Sequence, residues 1–453
     1  MLGYKSPNEK LNIAAIGAGG KGATDIAGCA TENMVAFADP DSKRAEKTFQ
    51  LYDKAPKYID FRRMLDKESK NIDAVIVSTP DFMHATAAMW AMERGKHVYC
   101  QKPLTRTIWE ARSLAHAAAK YNVATQMGNQ GYSNDGTRQC AEMIWAGEIG
   151  NVTEVHAWSN RPVWPQGLET MPAEEAVPAT MDWESWIGIS AMRPYSSQIA
   201  PFNWRGYFDY GCGALGDMAC HILGAPNMAL MLGAPTSVEC LKQEGKSKFT
   251  FPKKSVIRFD FPARGTMPAV KIFWYDGMLA PPPRPNGLAE EEVLGDLAKK
   301  PAGNGGGGQR KTEPAATPTD SNAKLDAQVS RLAQKGSNGS LFVGDKGFLT
   351  TGTYGENTRL VPSARMQDYK FPPPFLTRSP GHYRDWIRAA KGGDRSCSDF
   401  SVAAPFTEWI LLGAISLRFE GKLEWDSAKM KITSNAAANE MIKPKFRKGW
   451  QFT

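Results

Sequence analysis

The sequence predicts an α/β protein of two domains. The first is a doubly wound parallel sheet, and the second is an α+β domain on a large, mostly antiparallel open β-sheet. Three observations carry this. A glycine-rich turn from Gly17 to Gly22 lies between a β-type run and a helical stretch. β-type and helical segments then alternate as far as Gly128, and beyond it β-type segments follow one another without long helices between them. At 453 residues the chain is also too long for one ordinary core.

The order opens with the β-type run Leu11 to Ile16, followed by Gly17-Ala18-Gly19-Gly20-Lys21-Gly22 and a helix over 23–30. This is G-x-G-x-x-G in the setting that gives the pattern force. Gly17 permits the tight turn, Gly19 and Gly20 let backbone approach a pyrophosphate, and Gly22 lets helix and strand pack closely. The helix N-terminus then favours the negative charge. A second strand, Met34 to Ala38, ends in Asp39, about 20 residues on, where an acid accepts ribose hydroxyls. Together these predict a Rossmann dinucleotide site. Asp39 favours NAD, because a carboxylate repels a 2′-phosphate, while Lys43 and Arg44 leave NADP open.

The alternation continues with a charged helix over 41–52, a short helix over 60–65 and a buried parallel strand over 72–78. Thr79-Pro80-Asp81-Phe82-Met83-His84 reads as a loop at that strand's carboxyl end, leading into a helix over 85–94. The next strand, His97 to Gln101, stops at Lys102-Pro103, so a cationic side chain stands where open α/β sheets bind ligands. A helix over 107–121 and a strand over 123–128 complete the pattern and lead to Asn129.

The expected domains are 11–130 and 131–430, after a polar lead-in at 1–10. In the second, a helix over 136–146 precedes the alternating strand Val152 to Trp158, with further β-type segments over 237–241, 255–261, 269–275, 339–343 and 347–351. An aromatic and glycine-rich insert, 183–226, contains Asp217 and His221. A helix starting near Ala214 puts these at i and i+4 on one face, where a carboxylate can orient an imidazole that exchanges protons near neutral pH. The same spacing also suits a helix-start acid and a packed core histidine. Arg161, Trp164, Asn203, Trp204 and Arg205 combine indoles with hydrogen-bonding groups, a mixture suited to carbohydrate, although the tryptophans equally suit a core. From 281 to 325 periodicity is lost, and a flexible surface insertion is expected. His382 opens a helix and reads as structural; a second helix is expected over 406–419. A basic tail, 431–453, is expected to dock back on the first domain.

Composition narrows the function classes. Hydrophobic content of 42% and charged content of 23% describe a globular chain. The net charge of +8 comes from scattered Lys and Arg, which argues against a nucleic-acid partner. The apolar runs are too short for a membrane span. Seven dispersed cysteines without a C-x-x-C pair indicate neither a disulfide framework nor a zinc site, and no metal is expected. The first ten residues carry no apolar leader, so the chain as given reads as cytoplasmic, or periplasmic if a leader has been removed.

The glycine fingerprint, Thr79-Pro80 with His84, and Lys102-Pro103 at the next strand end resemble the glucose-fructose oxidoreductase, inositol dehydrogenase and rhizopine-catabolism (Gfo/Idh/MocA) family. Its usual triplet is Glu-Lys-Pro, and this chain has Gln101 in the first place. Asp217 and His221, four apart after a glycine-rich turn, look like its second catalytic motif. The stretches 158–167 and 207–221 look like a subgroup of large bacterial members, many of which carry a twin-arginine leader. The resemblance implies hydride transfer between a nicotinamide cofactor, NAD or NADP, and a hydroxyl-bearing carbon of a sugar, sugar derivative or cyclitol. Lys102, Asp217 and His221 would be catalytic, with Gln101, Lys102 and Asn129 joining the glycine loop, Asp39, Thr79, Pro80 and His84 at the cofactor. Association into dimers or tetramers through the second sheet is implied as well. Two alternatives stay open: a glycoside-cleaving enzyme using transient oxidation and elimination, and a non-catalytic sugar- or cofactor-binding protein.

Overall fold

The computed structural model describes residues 9–277, 282, 284–289, 292–297 and 338–452. Most of the lead-in at 1–10 and of the expected insertion at 281–325 lies outside the described residues.

Six parallel strands form the first sheet: β1 (Asn12–Ile16), β2 (Asn33–Ala38), β3 (Lys57–Tyr58), β4 (Ala74–Val77), β5 (His97–Cys100) and β6 (Thr125–Met127). Their order is β3-β2-β1-β4-β5-β6, so the winding reverses between β1 and β4 and a crevice opens beyond the carboxyl ends there. Successive side chains serve opposite layers. Ala14, Ile16, Val75 and Val77 join the large core, whereas Ile13, Ala15 and Ile76 pack with Phe37 and Trp386 on the other face. β3, of two residues, is too short to leave a period in the sequence.

The second sheet has nine strands: β7 (Val152–Trp158), β8 (Ser237–Glu244), β9 (Lys254–Phe261), β10 (Val270–Asp276), β11 (Gly339–Gly344), β12 (Gly347–Thr351), β13 (Arg359–Val361), β14 (Lys422–Asp426) and β15 (Lys431–Ile432). In the order β13-β12-β11-β7-β10-β9-β8-β14-β15, only the central β7–β10 pair is parallel. The helix Phe400–Ser416 lies on one face, with Trp409 edge-on to Phe259 and Phe261. Its Glu408 accepts two hydrogen bonds from Arg112 on the helix Ile108–Tyr121, which ties the sheets together.

Two helices begin earlier than expected. The helix expected over 85–94 runs from Asp81 to Met92, so Asp81 to His84 form its first turn rather than a loop. Pro80 precedes it with an extended backbone, and Asp81 suits the positive helix terminus. The helix expected over 406–419 starts at Phe400, capped by the Asp399 side chain, and contains Pro405. Pro405 is its sixth residue, so the helix forgoes the amide that would otherwise meet the Ser401 carbonyl.

Strands β14 and β15 extend the second sheet through Ile432, so the start of the expected tail is a sheet edge. Farther on, Trp450 packs under the Arg62 guanidinium and against Phe61, and Phe452 stacks on Trp109. Among the described residues no helix is long and apolar enough to cross a membrane.

Candidate functional site

A cavity of about 520 Å³ opens at the carboxyl ends of β1, β2, β4 and β5. The glycine turn forms one wall. Gly17 has φ +86°, and a Cβ there would stand 2.6 Å from the Ser78 carbonyl oxygen. A Cβ on Gly22 would stand 2.0 Å from the Gly17 carbonyl oxygen, so the helix Lys21–Gly28 can start against the turn only with glycine. Gly17, Gly19 and Gly20 line the cavity with Asp39, and Gly22 is outside the lining. Bare backbone at a helix N-terminus beside a roomy crevice fits a dinucleotide's pyrophosphate.

Asp39 is in place but already engaged. Oδ2 accepts from the Ala18 and Gly19 amides and Oδ1 from the Asp41 amide, and burial pushes the carboxyl up to about 6. Thr79, Pro80, His84, Gln101 and Lys102 also line the cavity. Both nitrogens of His84 are held by backbone, Nδ1 by the Pro103 carbonyl at 2.8 Å and Nε2 by the Thr79 carbonyl at 2.9 Å. His84 is therefore a clasp between two strand-end loops rather than a free ligand. Asn129 differs from expectation more fully. It is completely buried off the cavity wall, donating to the Cys220 carbonyl and accepting from Ser398 Oγ. A polar residue just past a strand end can face inward as readily as toward a cofactor.

The helix Gly213–Ile222 of the second domain meets the cavity through Lys102, although neither Asp217 nor His221 is itself in the lining. Lys102 Nζ donates to Asp217 Oδ1 at 2.6 Å and to the Asp217 carbonyl at 2.7 Å. Arg205 and Arg161 approach the same carboxylate at 3.5 and 3.8 Å. Burial alone pushes Asp217 up, but Lys102, Arg205 and Arg161 outweigh it and hold the carboxyl well below the usual range. The expected orienting contact from Asp217 to His221 is replaced by these cations. His221 shares the helix face, is 5% exposed, and keeps Nδ1 without a hydrogen-bond partner. Burial first, then the Lys102 charge, pushes its pKa well below the ordinary histidine value.

The aromatic and polar set divides. Trp204 and Arg205 line the cavity, with the guanidinium 4.1 Å from the Trp204 ring. Arg161 reaches Asp217 and also donates to Asn160 Oδ1. Trp164 is buried off the cavity wall with Nε1 on Gln166, and Asn203 lies in a short helical turn away from that wall. Trp164 backs Arg205 instead, its ring 5.9 Å from the guanidinium and its one donor satisfied by Gln166.

Two neighbours carried no local signal. Asp81, the first residue of its helix, accepts from the Cys212 amide and lines the cavity; burial raises it to about 7, against the Arg205 and Lys102 charges. Tyr354, from the loop after β12, sets its ring 4.8 Å from His221. Among the described residues no group of three or more His, Cys, Asp or Glu is placed to hold a metal.

A glycine-lined crevice at the switch point of a parallel sheet, whose Lys102 is held by Asp217 of an open-sheet domain, defines a two-domain NAD-binding oxidoreductase fold. Residues 11–129 match the oxidoreductase family described by its NAD-binding Rossmann fold, and residues 145–242 match that family's C-terminal α/β domain. The chain belongs to the Gfo/Idh/MocA oxidoreductases. Inositol 2-dehydrogenase 4 of Saccharopolyspora erythraea is 27% identical over 211 residues, 43% of this chain and 60% of that enzyme's length. Levoglucosan dehydrogenase of Pseudarthrobacter phenanthrenivorans is 27% identical over 165 residues, 36% of this chain and 34% of that enzyme. The fold is shared with the WlbA dehydrogenase of Bordetella pertussis, solved with NADH and UDP-GlcNAcA. Its TM-score is 0.60 at 15% identity, over 92% of this chain and 99% of that one.

Proposed function

We propose that the chain is an NAD-dependent oxidoreductase acting on a hydroxyl-bearing carbon of a sugar, sugar derivative or cyclitol. One observation carries this reading: the cationic Lys102, at the end of a strand lining the dinucleotide cavity, pairs with Asp217 on the helix that also holds a buried His221 whose Nδ1 has no hydrogen-bond partner. Bound NAD would supply the nicotinamide carbon that takes the hydride. Gly17, Gly19 and Gly20 would hold the pyrophosphate, Asp39 the adenosine ribose, and Gln101 and Lys102 the nicotinamide end. A carboxylate at 39 disfavours a 2′-phosphate, which makes NAD the cofactor of choice over NADP.

Lys102 places donors at the reacting oxygen, so that alkoxide charge develops against a cation already fixed by Asp217. His221 is neutral because it is buried, which is the form that accepts the hydroxyl proton, and Asp217 nearby stabilises the resulting imidazolium. Arg161, Arg205 and the Trp204 face would meet the remaining hydroxyls and ring carbons. Association of copies through the second sheet belongs to the same reading, and light scattering at working concentration checks it.

The test is a screen of cyclitols, aldoses and glycosides with NAD and NADP, following cofactor absorbance and product identity together. Reduced cofactor with a keto product is expected. Free sugar released from a glycoside with no net cofactor reduction, or NAD binding without any turnover, would overturn the proposal.

A further inference from the structure

Asp25 is a buried carboxylate to which no function has so far been attached. Its side chain is 0% exposed, on the helix Lys21–Gly28. Four residues donate to it: Lys21 through Nζ, Ser78 through Oγ at 2.7 Å, Tyr383 through its hydroxyl at 2.7 Å, and Gln101 through Nε2 at 2.9 and 3.1 Å to the two oxygens. A carboxylate offers about four lone-pair sites, so Asp25 is saturated with donors. Lys21, Ser78 and Gln101 line the dinucleotide cavity. Tyr383 arrives from the helix His382–Ala390 and packs so closely that a Cβ on Gly28 would stand 2.3 Å from its ring.

The Gln101 amide is oriented at both ends. Its nitrogen faces Asp25 and the Tyr99 hydroxyl, while Oε1 accepts from the main-chain N–H of Lys102 at 3.4 Å. The bare backbone of Gly128 leaves it room, since a Cβ there would stand 2.6 Å from Nε2. A carboxylate at 101 could not reproduce this. Two like charges about 3 Å apart would share Lys21 in a buried setting, and one would have to take up a proton. The glutamate implied at this strand end by the resemblance is thus incompatible with Asp25 opposite it.

We propose that Asp25 and Gln101 act as one positioning unit: a single negative charge is shared across the pair, so that with the carboxylate on the first helix position 101 must be an amide to hold the strand end bearing Lys102 against the dinucleotide. Neither residue touches the reacting atoms. The unit acts through the backbone of Lys102 and the floor of the cavity. It rests on NAD occupying the glycine-lined cavity and not on hydride transfer, so binding rather than turnover is the readout.

The test is a double-mutant cycle of Gln101→Glu, Asp25→Asn and their combination, read as NAD Kd by calorimetry and as Tm without cofactor. Gln101→Glu should weaken NAD binding about tenfold or more, the equivalent of one unit of pKa mismatch. Asp25→Asn, which turns an acceptor-only group toward Gln101 into an amide, should weaken it by a similar factor. Exchanging amide and carboxylate across the same hydrogen bond should bring the double variant back to within about threefold of the parent, the behaviour of directly coupled residues. A double variant whose loss is the product of the single losses overturns the proposal, as does Gln101→Glu with unchanged Kd. If Gln101→Glu does not fold, a folded, NAD-binding double variant supports the pairing and an unfolded one overturns it. A merely structural pair would restore Tm without restoring Kd. A parent protein that binds no dinucleotide refutes the cavity assignment instead, and the Tm cycle still decides the pairing.

Discussion

Lys102 and Asp217, 115 residues apart, form a two-point contact in which one ammonium meets both the carboxylate and the main-chain carbonyl of the same residue. The pair therefore fixes the helix as well as the side chain. Three cations around one carboxylate keep Asp217 ionised far into acid. Asp217→Asn should lower kcat about 100-fold, because both the fixed partner of Lys102 and the charge beside His221 are lost. NAD affinity should hold. A kcat within threefold of the parent contradicts the assignment.

Asp81 gives a pH-dependent prediction. Burial lifts its carboxyl from the ordinary range to about 7, so the folded state prefers it protonated. That contribution is fully present below about pH 4 and is lost as pH rises to about 7. It amounts at most to roughly 4 kcal/mol. Comparing denaturant unfolding of the parent and Asp81→Asn from pH 4 to 8 isolates it from Asp39 and Asp276, which burial raises to about 6. The parent should lose stability relative to Asp81→Asn as pH rises, and a constant difference across that range would contradict the account.

Tyr354 is 38% exposed, with its ring beside His221 and its backbone held by Asn134 and Glu356. A half-open phenol on a fixed loop is suited to a substrate hydroxyl. Tyr354→Phe should raise KM about threefold to tenfold, the size of one lost hydrogen bond. The NAD Kd should not change. Unaltered KM for every accepted substrate removes Tyr354 from the site.

What was legible in the sequence depended on range. The glycine turn, Asp39 and the strands of the first sheet follow from local pattern, because parallel βα units write their period into the chain. β3, β13 and β15 are two or three residues long and leave none. The i, i+4 spacing of Asp217 and His221 gave their shared face correctly, but the carboxylate's partners are Lys102, Arg161 and Arg205, which only the tertiary fold supplies. Trp164 and Asn129 were expected at ligands for the same reason that Asp25 was missed: composition around a site does not say which polar group turns inward. Gln101 became intelligible only with Asp25 opposite it, 76 residues away in sequence.

In the proposed reading Lys102 lies at the nicotinamide end of the cavity, and its ammonium charge serves the reaction more than it serves cofactor affinity. The direct measurement is turnover and NAD Kd on Lys102→Met, using the best substrate of the screen. Because Met keeps the unbranched stem and loses the charge, NAD should bind within about threefold of the parent while kcat falls by about 10³-fold or more. Retained turnover would contradict the account, and so would loss of NAD binding in step with activity.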